Sequence, residues 1–122
     1  MKLGYTIVYV PDVAASLQFF ECAFGLKRRF LHESGTYGEL DTGETTLSFA
    51  AHSLGESNFP GGHVHAHASV KPLGMEVALV HSTAERAEHA EPKEFLRARR
   101  VRRLWIGASH VRVSLVPEFL SS

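Results

Sequence analysis

The chain has 122 residues, with 13 Lys and Arg against 13 Asp and Glu for a formal net charge of zero at pH 7, and 44% of its residues are hydrophobic. Such a length and composition fit one domain with a real core, and the balanced charge excludes bulk attraction to nucleic acid or an anionic membrane as the basis of function. Cys22 is the only cysteine, which excludes an intramolecular disulfide and suits a reducing cytoplasm; the N-terminal apolar run is short and alternates with polar residues, so neither a signal peptide nor a membrane span is expected.

The first fifty residues read as one βαβββ unit. Tyr5 to Val10 is rich in β-branched and aromatic residues and ends at Pro11-Asp12, a turn followed by a helix N-cap. Val13, Leu17, Phe20 and Phe24 then recur at three- and four-residue steps, and Gly25 stands where a left-handed cap belongs, which predicts an amphipathic helix. Strand-like stretches follow at Lys27 to Glu33, Thr36 to Leu40 and Thr45 to Ala51, with Ser34-Gly35 and Asp41-Thr42-Gly43-Glu44 as turns between them. Phe59-Pro60-Gly61-Gly62 opens a connector, and Lys71 to Val80 carries another strand. Beyond it, Thr83 to about Arg100 has helical composition interrupted by Pro92, and Leu104-Trp105-Ile106 and Val111 to Val116 read as two further strands. The units are thus residues 1–54, a connector 55–73, and an abbreviated second module 74–122.

Several segments carry a resemblance. Val10-Pro11-Asp12-Val13, Phe19-Phe20, Phe24-Gly25-Leu26, Gly38 to Gly43 and Leu47-Ser48-Phe49-Ala50, followed by Lys71 to Val80, resemble in order the glyoxalase/bleomycin-resistance/extradiol-dioxygenase group, the vicinal oxygen chelate superfamily. The resemblance implies an α+β fold of tandem βαβββ modules whose open concave sheets face a cavity. It also implies four inward positions around a divalent ion in the metal-dependent branch. Three of these fall on Tyr5, Ser48 and Glu76, and the fourth has no assignable residue. Tyrosine and serine are poor ligands beside imidazole and carboxylate, so only Glu76 is competent and no catalytic metal or other cofactor is expected at these positions. Glu76 itself is either a half-exposed strand carboxylate or a ligand contact.

Strand alternation separates the two faces. With Thr6, Val8, Val10, Gly38, Leu40, Leu47 and Phe49 beneath the helix, the opposite face carries Tyr5, Ile7, Tyr9, Tyr37, Glu39, Thr46, Ser48 and Ala50. On the later strand Val77 and Leu79 belong to the core, and Glu76, Ala78 and Val80 to the cavity. The candidate ligand-binding residues are therefore Tyr5, Ile7, Tyr9, Tyr37, Glu39, Ser48, Glu76 and Trp105. Aromatic walls and two carboxylates suit a cationic or hydrogen-bond-donating organic molecule.

The resemblance is thus strongest to the drug-sequestering branch, in which a homodimer completes a metal-independent small-molecule site. The alternative is a lyase, isomerase or dioxygenase with an atypical ligand set. A module binding protein or nucleic acid through Arg97, Arg99, Arg100, Arg102, Arg103 and Arg112 ranks below both, because pairing within the chain or between subunits explains those arginines as well. His63-Val64-His65-Ala66-His67 shares one face if extended, a spacing able to chelate a zinc or nickel ion, yet it follows a loop signature in a connector with no evident carboxylate partner, and reads as a solvated connector with incidental histidines. Cys22, beside apolar helix residues, reads as a buried inert thiol.

Overall fold

The computed structural model describes residues 1–81 and 112–117, with His81 and 112–117 described as backbone alone. Strand β1 (Tyr5–Val10) leads into helix α1 (Val13–Phe24), followed by β2 (Lys27–Leu31), β3 (Tyr37–Asp41) and β4 (Thr46–Ala51). A short helix α2 (His52–Asn58) and one 3-10 turn (Ala66–Ala68) precede β5 (Glu76–His81), and β6 is Arg112–Pro117. Strands β1 to β4 form a curved open sheet in the order β1-β4-β3-β2, and β5 and β6 pair in a second sheet.

Local chemistry sets the first connection. The Asp12 carboxylate accepts from the Ala15 amide at 2.9 Å, satisfying one of the free N–H groups at the start of α1. At the other end Gly25 takes a left-handed conformation (φ 66°) and its amide donates to the Glu21 carbonyl. Between these caps, Val13, Leu17 and Phe20 are buried against Val8, Val10, Leu40, Leu47 and Phe49. The Phe20 and Phe49 rings lie 5.1 Å apart at the centre of this layer. Gly38 lets the helix approach, since a Cβ there would stand 2.6 Å from Leu17 Cδ1. Val77 and Leu79 of β5, with Leu73, pack against the same core.

The two sheets repeat one pairing. β1 runs parallel to β4, with Tyr5 opposite Thr46 and Ile7 opposite Ser48, and β5 runs parallel to β6, with Glu76 opposite Arg112 and Ala78 opposite Ser114. First and last strands of a βαβββ unit pair in this way, so β5 and β6 are the described part of the abbreviated second module.

Three differences from the sequence expectations concern β2, α2 and Cys22. β2 stops at Leu31, two residues before Glu33, where the Gly35 amide donates to the His32 carbonyl and closes the turn into β3. Residues 52–58 form a helix that no feature of the sequence predicts. Cys22 is exposed, not buried: at 100° per residue it lies roughly 200° around the helix from Phe20, on the side away from the sheet. The helix expected from Thr83, the strand at Leu104–Ile106, Trp105 and the arginines at 97–103 lie outside the described residues.

Candidate functional site

The face of the first sheet opposite α1 is built from alternate residues of all four strands. Register aligns Ile7, Ser48 and Glu39 in one row and Tyr9, Ala50 and Tyr37 in the next. The small central residues Thr46, Ser48 and Ala50 are buried. Around them Tyr5 is 55% and Ile7 43% exposed, leaving aromatic and aliphatic surface open on the β1 side.

Three of the expected residues are joined directly. The Tyr37 hydroxyl lies 3.0 Å from Glu39 Oε1 and 3.1 Å from Ser48 Oγ. Both bonds run from the Tyr37 hydroxyl, and because a phenol has one proton its two acceptors share it, with the carboxylate the stronger of the two. Burial raises the Tyr37 pKa above its ordinary 10.0; the Ser48 hydrogen bond works against that rise, and the bond to Glu39 and its charge add to it. Ser48 lies on the expected face but is fully buried, so it acts on that surface through Tyr37.

A bulge brings two residues that strand alternation misses. Arg28 pairs with Leu40, but Phe30 then pairs with Glu39, so Arg29 is an extra residue in β2. Arg28 bonds Glu21 of α1 at 2.8 Å, on the helix side. Arg29 reaches the other face, donating to Thr46 Oγ1 at 2.9 Å and approaching Asp41 at 3.4 Å. Phe30, opposite Glu39, is 45% exposed there. The face therefore carries a fixed guanidinium beside its carboxylates, and the only clue in the sequence is a pair of adjacent arginines in a short strand.

Glu76 is exposed and begins β5 of the second sheet, at the register position Tyr5 occupies in the first. In backbone register, Ser114 stands two residues after the partner of Glu76, as Ser48 stands two after the partner of Tyr5. One carboxylate beside a serine and a tyrosine is a poor donor set for a divalent ion, and the burial of Ser48 beneath Tyr37 adds to the misfit.

At the far end of this face the connector folds back on the sheet. Asn58 Nδ2 donates to the Tyr9 hydroxyl at 3.3 Å, and the rings of Phe59 and His63 lie 5.6 and 5.0 Å from that of Tyr9. His63, His65 and His67 are half-buried, not solvated as expected, and His52 of α2 joins them. His52 Nδ1 is 3.0 Å from His63 Nε2, His52 Nε2 is 3.1 Å from His67 Nδ1, and His65 stacks on His52 with ring centres 3.8 Å apart. His65 Nε2 also meets Glu56 Oε1 at 3.2 Å, the carboxylate partner not evident in the sequence. Burial, then the charges of His65, His67 and His63, push the His52 imidazole down to about 4 against a smaller upward pull from Glu56. Neutral His52 has one N–H and one bare nitrogen, so it donates in one contact and accepts in the other. His63 Nδ1 is buried with no hydrogen-bond partner among the described residues.

Comparison with known proteins follows the same lines. A model of the Glyoxalase/Bleomycin resistance protein/Dioxygenase superfamily matches residues 2–93. No curated protein matches the chain. Among solved structures, a lactoylglutathione lyase from Agrobacterium tumefaciens is similar at 16% identity and TM-score 0.59 over 99% of this chain and 96% of that one. A glyoxalase/bleomycin resistance protein/dioxygenase family enzyme from Burkholderia phytofirmans PsJN is similar at 21% identity and TM-score 0.53, covering 72% of this chain and 66% of that one. A glyoxalase/bleomycin resistance protein/dioxygenase from Nocardioides has 16% identity and TM-score 0.54, covering 84% and 64%. The chain thus spans slightly under two thirds of the Burkholderia and Nocardioides proteins, and identities this low speak for the fold alone. With the family model covering most of its length, the chain belongs to the Glyoxalase/Bleomycin resistance protein/Dioxygenase superfamily.

Proposed function

We propose that the protein binds a small organic molecule on the face formed by Tyr5, Ile7, Tyr9, Tyr37 and Glu39, without a metal at the superfamily's four strand positions. The observation that carries this reading is the Tyr37–Glu39–Ser48 network, which fixes a carboxylate and a phenol beside the exposed rings and aliphatic groups of Tyr5, Ile7 and Phe30. An aromatic molecule with a cationic or hydrogen-bond-donating group matches that surface: ring stacking uses the apolar part and Glu39 meets the donor. Arg29, held by Thr46 and Asp41, adds a place for an acidic substituent on the same ligand. Glu76, Trp105 and a second copy of the chain complete the enclosure in this reading, since Tyr5 and Ile7 remain open on the edge strand β1. Antibiotic sequestration is the corresponding biological role.

A thermal-shift screen of chelator-treated protein against glycopeptide antibiotics, other cationic aromatics and thiol conjugates tests the proposal. Stabilisation by a cationic aromatic with no metal added is the expected result. A response confined to thiol conjugates in the presence of a divalent ion would move the chain to the lyase alternative.

A further inference from the structure

A second site lies outside the strand positions. We infer that the connector forms a transition-metal site in which His52, His63 and His65 hold one divalent ion of the zinc, nickel or copper class, with Glu56 and His67 as supporting partners. Each of the three offers one nitrogen, and the three nitrogens lie within 4.8 Å of one another. Two nitrogens sharing a tetrahedral ion at about 2.0–2.1 Å each stand roughly 3.4 Å apart, and His52 Nδ1 and His63 Nε2 are already at 3.0 Å. Imidazole donors without thiolate select this class of ion over calcium or magnesium.

The surrounding chain holds these rings in place. Glu56 follows His52 by one helical turn and takes the His65 Nε2–H, leaving His65 Nδ1 as the donor nitrogen; His67 takes the outer Nε2–H of His52 in the same way. Gly61 and Gly62, both with positive φ, reverse the chain so that His63 returns onto α2. Gly55 makes room for it, because a Cβ there would lie 2.6 Å from His63 Cε1 and 2.8 Å from the Tyr9 ring. Ala66 is buried in the core between His65 and His67 and anchors both. The ion acts as a staple: it ties α2 to the connector at the point where His63 and Asn58 touch Tyr9.

The test uses the full chain without an affinity tag, stripped by chelator and titrated with Zn2+, with bound metal measured by elemental analysis. One Zn2+ per chain is expected, with a rise in melting temperature. His52→Gln, His63→Gln and His65→Gln should each weaken binding at least tenfold, and Glu56→Gln by about 10- to 100-fold, the range for a partner that orients a ligand. His32→Gln, at an exposed histidine away from the cluster, and Glu76→Gln, at a superfamily strand position, should change nothing. Far-UV circular dichroism checks folding, and if His63→Gln is unfolded the His65 variant decides. Substoichiometric binding, binding shared equally with His32, or binding lost in Glu76→Gln but kept in His65→Gln overturns the assignment.

Discussion

The Tyr37 hydroxyl and the Glu39 carboxylate, two residues apart on β3, share a hydrogen bond of 3.0 Å on the face away from the helix. Residues at i and i+2 of a strand point the same way, so a short strand holds an acid and a phenol side by side. Ser48 from β4 secures the phenol from below.

This arrangement has an alkaline signature. Burial first, and then Glu39, raise the Tyr37 pKa above 10.0, so the folded chain keeps a proton that the unfolded chain has begun to lose. The stability due to that difference is fully present below pH 10.0 and declines as pH rises through the raised value. In a spectrophotometric titration of tyrosinate, Tyr37→Phe should remove a late-ionising phenol. Glu39→Gln should bring it to lower pH, and Ser48→Ala should move it higher; the opposite order for these two variants would refute the proton arrangement.

Packing beneath the helix makes a separate prediction. Phe49→Ala removes a fully buried ring that faces Phe20 and should cost about 3–5 kcal/mol in urea unfolding. Gly38→Ala forces a methyl against Leu17 and Val13 and should cost roughly 1–3 kcal/mol. Gly4→Ala, which meets nothing within 4 Å, serves as the control. Equal losses at Gly4 and Gly38 would contradict the close helix approach.

Much of this was legible in the sequence, and the reasons are local. Asp12 and Gly25 bracket α1 because capping is a property of a few adjacent residues, and the β1, β3 and β4 faces follow from alternation alone. Arg29 was not legible, since a bulge changes the face of one residue without any unusual composition. Helix α2 was not either: His-Ser-Leu-Gly-Glu-Ser-Asn has weak helical propensity, and Gly55 is buried against Tyr9 and His63, partners that only the folded chain supplies. The histidine cluster joins residues 52 and 67 across a turn, so spacing within His63-Val64-His65-Ala66-His67 shows only part of it.

Assembly follows from the open edge. Among the described residues no strand pairs with the outer side of β1, and Leu3, Tyr5 and Ile7 are exposed along it. Sedimentation at micromolar concentration should show a homodimer, with Ile7→Glu shifting it toward monomer. A monomer for the wild-type chain would remove the second copy from the proposed enclosure.

The most direct measurement is calorimetric titration of a cationic aromatic ligand into chelator-treated wild-type protein, Glu39→Gln and Val77→Ala. Glu39→Gln keeps the shape but removes the charge, so binding should weaken by roughly 1–3 kcal/mol, the range for a charge-assisted hydrogen bond. Val77 packs against the core, so Val77→Ala should cost on the order of 1 kcal/mol of folding stability and leave affinity unchanged. Wild-type binding that persists in chelator and falls only in Glu39→Gln is the predicted result; binding that requires an added divalent ion even in His65→Gln, where the connector site is lost, or that ignores Glu39→Gln, would contradict it.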